Sequence, residues 1–368
     1  MGEKRDFNKG AYSALKVVWH PEKLNSLIEK KVTAPVYVRV KPTNRCNHGC
    51  FYCTYADRSG GEQSLSGLHE DMSIRDEMPF EKLTEILDDF KEMKVGAVTY
   101  SGGGEPTFYP HIVKTLEKTL ENGIDLSMIT NGQKLEGDVA RLLSEAHWVR
   151  ISADYVDAKM FSDIRKRPEK WFYKLQENVQ NFAKTKKREC SLQVNLVVSE
   201  INQSGIYDSI KLFREWGVEN VKVAPVWVPE FEKYHAPFRE KVVEQMNRAT
   251  AELSRDGFSI YDNYEKYFEV GGTTQRHYTS CPIMQIVPVV GADQKVYFCH
   301  NKAYSKDGCL GSIEKKSFKE LWFSEESARI FKEFDPSKSC NHECANDRKN
   351  LAIHELIEAA DARVVNFV

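Results

Sequence analysis

Six runs of alternating apolar and polar residues, each followed by a segment with helical spacing, recur between residues 34 and 227 and narrow the folds open to this chain. The first, "APVYVRVKPT" (34–43), carries β-branched residues in strand alternation. "MPFEKLTEILDDFKEMKV" (78–95) spaces Phe80, Leu83, Ile86, Leu87 and Phe90 at three and four, the stripe of an amphipathic helix opened by proline. Strands are then expected within 96–101, 125–132, 148–154, 191–199 and 220–227, with helices at 111–122, 137–145, 157–184 and 204–216 between them. Such regular alternation predicts a parallel sheet with helices outside, and six units suit a partial (β/α)6 barrel of the TIM type. Chemistry in such folds sits at the C-terminal strand ends. The loops "CNHGCFYC" (46–53), "SGGGEPT" (101–107), "TNG" (130–132) and "SAD" (152–154) all fall there.

The alternation stops near residue 228. A charged helix over 237–256, an aromatic-rich linker to Cys281, a hairpin at 286–300 turning at Gly291–Gln294, two short helices and a final helix are expected after it. We therefore expect a barrel with an N-terminal extension over 1–235, and a linker helix with a small cysteine-rich α/β domain over 236–368. The 52 basic and 54 acidic side chains nearly cancel, so no whole-molecule field recruits nucleic acid or an anionic membrane. Apolar runs such as "IVPVV" (286–290) fall far short of the roughly 20 residues that span a bilayer. The opening "MGEKRDFNKG" has no apolar signal core, and the cytoplasm is the expected compartment.

Nine cysteines, an odd number and largely clustered, read as metal ligands or redox groups in a reducing compartment rather than as a disulfide framework. Cys46, Cys50 and Cys53 offer three thiolates. Either a cubane iron-sulfur cluster with one open iron or a zinc ion with a distant fourth ligand would use them. Cys281, Cys299, Cys340 and Cys344 offer four, enough to close a zinc tetrahedron or to ligate a cubane fully. Cys190, opening a strand after the solvated "KTKKRE" run, reads as a packing residue.

The spacing C-x3-C-x-aromatic-C, with Tyr52 as the aromatic, resembles the signature of radical S-adenosylmethionine (radical SAM) enzymes. The resemblance implies a [4Fe-4S] cluster whose open iron chelates SAM and drives its cleavage to a 5'-deoxyadenosyl radical, which abstracts a hydrogen atom from substrate. It assigns Gly103, Gly104 and Glu105, followed by Pro106, to the SAM amino group. Ser152 is a candidate for the SAM ribose or carboxylate, and Asp154 for substrate. Arg165 is either a SAM-carboxylate ligand or a surface helical arginine, and Asn131 either a site residue or a turn former. The segment from the hairpin to the last cysteine pair resembles the family's twitch and SPASM extensions. Four placed cysteines plus Cys309 point to the shorter twitch type with a second, auxiliary [4Fe-4S] cluster. The last pair departs from common twitch spacing, so Cys309 either replaces one of its members or is a free thiol returning a hydrogen atom to a substrate radical.

A fully ligated auxiliary cluster suits electron acceptance. The resemblance therefore implies an oxidoreductase acting on a small polar substrate of sugar, aminocyclitol or sugar-nucleotide type, with epimerisation or another radical rearrangement as variants. An external donor such as flavodoxin or ferredoxin is expected. The polar stretch 55–77, with Arg58, His69 and Arg75, is either a substrate cover or a solvated lid. Two alternatives stand beside this reading: a peptide-modifying maturase, disfavoured by the roughly 34 residues before the first strand, and a non-catalytic iron-sulfur or zinc protein for electron transfer or scaffolding.

Overall fold

In the computed structural model, residues 13–55, 69, 71–228, 230–269, 276–340, 344 and 346–361 are described. Seven strands run parallel to their neighbours: β1 Tyr37–Val40, β2 Ala97–Tyr100, β3 Asp125–Thr130, β4 Trp148–Ser152, β5 Ser191–Val198, β6 Asn220–Pro225 and β7 Ser259–Asp262. Three shorter strands follow, β8 Val289–Val290, β9 Lys295–Tyr297 and β10 Cys309–Ser312, and the sheet order is β10-β9-β8-β1-β2-β3-β4-β5-β6-β7. Helices α1 Pro21–Ile28, α2 Phe80–Glu92, α3 Ile112–Glu121, α4 Gly137–Leu143, α5 Ala158–Arg165, α6 Lys170–Thr185, α7 Ile206–Glu215, α8 Phe231–His235 and α9 Arg239–Leu253 lead, connect or follow these strands. The result is the expected partial barrel followed by a small C-terminal segment with a hairpin and helices.

Burial follows the alternation. Val38 and Val40 of β1, Val98 and Tyr100 of β2, and Val149 and Ile151 of β4 are wholly buried in one apolar cluster with Leu83, Ile86 and Phe90 of α2. Each such side chain contributes about 1.5–3 kcal/mol on leaving water. The intervening residues line the other face, where polar groups meet: Arg39 pairs with Thr99 and Thr99 with Ser127 in the strand register. The Thr99 and Ser127 hydroxyls are 2.7 Å apart, and Arg150 Nη2 donates to Gln193 Oε1 at 2.9 Å. The barrel thus has an apolar jacket and a polar lumen.

Two features depart from expectation. The parallel order continues through β7, so the sheet does not end at the boundary placed near residue 235. "SIYD" carries no alternation of burial, every residue being half-buried, and this removes the signal that marked the other strands. The C-terminal hairpin joins the same sheet: β8 pairs parallel with β1, Arg39 opposite Val289 and Val40 opposite Val290, which extends the barrel sheet at its first strand. The turn itself falls where expected, Gly291 N donating to Lys295 O at 2.9 Å. Among the described residues no helix is long and apolar enough to cross a membrane.

Candidate active site

The loop after β1 carries the first three thiols, and its neighbours fix its shape. Gly49 N donates to Arg165 O at 2.9 Å, Asn131 Nδ2 donates to Asn47 Oδ1 at 2.7 Å, and Arg167 Nε donates to the Asn47 carbonyl. The glycine loop after β2 presses against it from the side. A Cβ on Gly103 would stand 1.8 Å from Asn44 Oδ1, and one on Gly104 would stand 1.9 Å from Arg45 O. Glycine here permits two loops to touch; ligand approach alone is not its reason.

Glu105 anchors the same corner. Its Oε1 accepts from Thr107 N, Thr107 Oγ1 and Thr130 Oγ1 at 3.1, 2.8 and 2.6 Å, and Oε2 accepts from Asn131 N at 2.7 Å. Burial raises its pKa and these donors oppose the rise. The structure thus brings Gly103, Gly104, Glu105 and Asn131 beside the three cysteines, with one Glu105 oxygen less crowded than the other.

Helix α5 starts with the Asp157 carboxylate accepting from Met160 N at 2.8 Å and stops at Lys166, whose left-handed φ of 53° turns the chain. That length sets Arg165 against the loop. Its Nη1 lies 3.0 Å from Cys50 Sγ, and its Nη2 donates to Ser152 O at 2.8 Å and to Asp154 Oδ1 at 2.6 Å. The Arg165 and Asp154 side chains are only 4% and 1% exposed, so Arg165 is not a surface helical arginine. The Tyr52 hydroxyl donates to the second Asp154 oxygen. Burial raises Asp154 against the pull of Arg165, and burial holds Tyr52 well above its usual value as a neutral donor. Four predicted residues, Tyr52, Ser152, Asp154 and Arg165, are therefore one network behind Cys50, with Ser152 contributing its carbonyl.

The second thiol set surrounds a cavity. Cys281, Cys299, Cys340 and Cys344 line it together with Met284 and Phe298, and Cys309 is not among its lining residues. Cys309 sits half-buried at the start of β10 beside Tyr297 and Tyr304. Cys190 is wholly buried, as a packing residue should be.

Both sets suit iron-sulfur clusters by the chemistry of their donors. Cys53 is pushed up to about 11 by burial and by Cys50. Cys344 is pushed up to about 12 by burial and Cys299, and Cys281 lies well above its usual value through burial and Cys299, Cys344 and Cys340. A bound metal centre stabilises thiolates against such a rise. Among the described residues no group of three His, Cys, Asp or Glu side chains is set to hold a single metal ion.

Strand β1 connects the two sets. Tyr37 packs in the apolar cluster that also takes Cys281, Arg39 lies in the field of Cys299, and Lys41 lies in that of Cys53. Lys41 is wholly buried, its Nζ 2.7 Å from the Tyr55 hydroxyl and 3.9 Å above the Tyr55 ring. Burial and Arg39 hold its pKa well below the ordinary lysine value. His69 stacks on Tyr55 at 4.1 Å and bonds the Ala303 carbonyl at 2.7 Å, which docks this part of the polar stretch onto the C-terminal segment. Arg58 lies outside the described residues, and Arg75 is exposed. Sequence reasoning passed over Arg39, Lys41 and Tyr55. The signal available was a cation at every second position of a strand, Arg39 and Lys41, where an apolar residue would serve a closed core.

Comparison with known proteins agrees with this arrangement. The radical SAM superfamily model matches residues 40–213, and the SPASM model, described as an iron-sulfur cluster-binding domain, matches residues 281–346. Relatives include a UPF0026 protein of Helicobacter pylori, 24% identical over 183 residues that make up 49% of this chain and 56% of that protein. The chain thus spans only 56% and 59% of the two Helicobacter relatives it matches. A GTP 3',8-cyclase of Staphylococcus epidermidis is 22% identical over 324 residues, 81% of this chain and 91% of that one. Among solved structures, Streptococcus suis SuiB bound to S-adenosylmethionine aligns with a TM-score of 0.61 at 16% identity, covering 84% of this chain and 71% of SuiB. Native anSMEcpe with bound AdoMet aligns at 0.58 with 18% identity, covering 90% and 98%. The two models take in the three-thiol loop, the glycine loop and the four-thiol cavity, and the chain belongs to the radical SAM superfamily, with a C-terminal SPASM iron-sulfur cluster-binding domain.

Proposed function

We propose that this radical SAM enzyme is a dehydrogenase-type oxidoreductase that takes a small polar substrate, of sugar, aminocyclitol or sugar-nucleotide type, into the lumen between its two thiol sets. The observation that carries the reading is that β1 reaches toward both sets: Tyr37 packs in the apolar cluster that takes Cys281, and Lys41, 2.7 Å from the Tyr55 hydroxyl, leads into the three-thiol loop. A polar lumen wall of Thr99, Ser127, Arg150 and Gln193 supports a hydroxyl-bearing substrate. A Staphylococcus relative is named for GTP, and a Psychrobacter relative, of which this chain covers 92%, is named a nucleotide dehydratase; both support a small phosphorylated or polyhydroxylated substrate over a peptide.

When bound, the SAM-binding cluster and SAM supply a carbon radical that removes a hydrogen atom, and the auxiliary cluster supplies a one-electron acceptor. In this reading Cys46, Cys50 and Cys53 hold the first cluster, and Cys281, Cys299, Cys340 and Cys344 hold the second. Glu105, through its less crowded oxygen, faces the SAM ammonium group while Gly103 and Gly104 keep that corner close-packed. Arg165 sets a positive charge against Cys50, and Asp154 keeps its guanidinium oriented. Lys41, whose pKa burial holds well below the ordinary lysine value, is in this reading the group that accepts the hydroxyl proton an alcohol gives up on oxidation to a ketone. Reducing equivalents come from a cytoplasmic donor of flavodoxin or ferredoxin type.

Anaerobic incubation of the reconstituted enzyme with SAM, reductant and deuterated polyols or sugar nucleotides tests the reading. Deuterium in 5'-deoxyadenosine with a product lighter by a pair of hydrogen atoms is expected. Deuterium transfer with a product of unchanged mass contradicts oxidation, and SAM cleavage stimulated only by peptides contradicts the substrate class.

A further inference from the structure

Two cations line the cavity that the four auxiliary thiols surround, and each has a carboxylate partner that does not. Arg276 and Lys302 are among the lining residues with Cys281, Cys299, Cys340 and Cys344, and among the described residues no carboxylate lines it. Arg276 Nη1 lies 3.5 Å from Asp347 Oδ1, on the final helix Asp347–Asp361, and the Tyr278 hydroxyl donates to the same oxygen at 2.6 Å. Lys302 Nζ pairs with Asp307 Oδ2. Exposure separates the two ends of each pair: 5% for the Arg276 side chain against 23% for Asp347, and 8% for Lys302 against 57% for Asp307. The turn that carries Lys302 is close-packed. Ser305 Oγ donates to the Lys302 carbonyl at 2.8 Å, and a Cβ on Gly308 would stand 2.1 Å from that carbonyl oxygen. Phe298 and Phe334, their ring centroids 4.7 Å apart, add apolar wall to the same cavity. A charge in such a setting acts through an effective dielectric well below that of water, while a solvent-facing carboxylate is screened. The positive end of each pair therefore outweighs its negative end at the thiols.

We propose that Arg276 and Lys302 raise the reduction potential of the auxiliary cluster and so fit the four-thiol site to accept an electron. Thiolate ligands already load the site with negative charge, an added electron increases it, and net charge with local hydrogen bonding tunes an iron-sulfur potential. The inference rests on the oxidation reading above and deepens it by naming residues that favour its second step. In that step a substrate radical, already short of one hydrogen atom, gives one electron to the auxiliary site and its hydroxyl proton to Lys41, leaving a ketone. Both residues act through the thiol site rather than on substrate.

Potentiometric titration followed by electron paramagnetic resonance tests this in the anaerobically reconstituted full chain carrying Cys46→Ala, Cys50→Ala and Cys53→Ala, where only the auxiliary set signals. Arg276→Gln and Lys302→Gln are each expected to lower the midpoint potential by about 59 mV or more, a tenfold loss in the one-electron equilibrium, at unchanged iron content. Arg276→Lys and Lys302→Arg keep the charge and are expected to stay near the starting value. An unmoved midpoint in the double Gln variant with its iron retained overturns the proposal and leaves the oxidation reading standing. Equal shifts in the Gln and the charge-keeping variants also overturn it, because packing rather than charge then moves the potential. Midpoints that shift as expected, with no substrate oxidised by the wild type, remove the oxidation reading and keep the role of the two cations. A protein without iron at the four thiols overturns the proposal together with the cluster reading. Should only the Gln variants lose their iron, Asp347→Asn decides. It removes the negative charge behind Arg276 and keeps an oxygen for Tyr278, so a higher midpoint supports the proposal and an unmoved one overturns it.

Discussion

Arg165 Nη1 lies 3.0 Å from Cys50 Sγ. One helix terminus thereby fixes both the charge and the outline of the three-thiol loop, since the same guanidinium binds Asp154 and the Arg165 carbonyl receives Gly49 N. Replacing Arg165 with Gln leaves the Asp154 carboxylate buried with only the Tyr52 hydroxyl and weaker donors. A loss of about 3–5 kcal/mol is expected for breaking a buried pair from one side. Anaerobic urea unfolding checks it, and Arg165→Gln/Asp154→Asn should recover part of the loss.

Gly104→Ala would force a Cβ to 1.9 Å from Arg45 O and 2.5 Å from the Asn44 carbonyl carbon, both backbone atoms with little freedom to move. The glycine loop must then withdraw from the cysteine loop. A cost of roughly 1–3 kcal/mol or more is expected, with loss of iron from the first thiol set, read by thermal melting and iron analysis. Retention of all iron at wild-type melting temperature would contradict the loop contact.

Cys344→Ala and Cys309→Ala should separate cleanly. Cys344 lines the four-thiol cavity and Cys309 does not. Iron analysis and visible absorption are expected to show loss of the auxiliary cluster in Cys344→Ala alone. The reverse pattern would assign Cys309 as the fourth ligand.

His235 gives the fold a pH dependence remote from both thiol sets. Its Nε2 donates to Val226 O at 3.1 Å, leaving Nδ1 to accept from the Tyr264 hydroxyl at 3.2 Å. Burial lowers its pKa, against the carbonyl's opposing pull. The unfolded chain therefore binds a proton that the folded chain does not as pH falls below about 6.5, the ordinary histidine value. The stability that the neutral ring contributes is present above that pH and declines toward the lowered folded pKa, by at most roughly 1.4 kcal/mol per pH unit. Unfolding at pH 7.5 and 5.5 should show this slope in wild type and a shallower one in His235→Gln.

The barrel was readable because each of its first six strands mixes a buried apolar face with a polar one, as Val38 and Val40 do around Arg39. The seventh strand, Ser259–Asp262, has no such contrast and gave no signal. Cysteine spacing likewise marked both thiol sets, because ligand chemistry is written locally in the chain. The pairing of Arg165 with Asp154 was not legible: it depends on where α5 ends relative to β4, a matter of helix length and packing. Nor was the choice between Cys309 and Cys344, since both follow the hairpin and only tertiary placement separates them.

The central claim is that two polynuclear clusters occupy the two thiol sets. Iron and acid-labile sulfide per chain, measured after anaerobic reconstitution alongside SAM cleavage, test it in wild type and in Cys46→Ala, Cys50→Ala, Cys53→Ala. About eight irons falling to about four, with cleavage to 5'-deoxyadenosine abolished, is the predicted result. About four irons in wild type with none in the variant, or zinc at the C-terminal thiols, would contradict it.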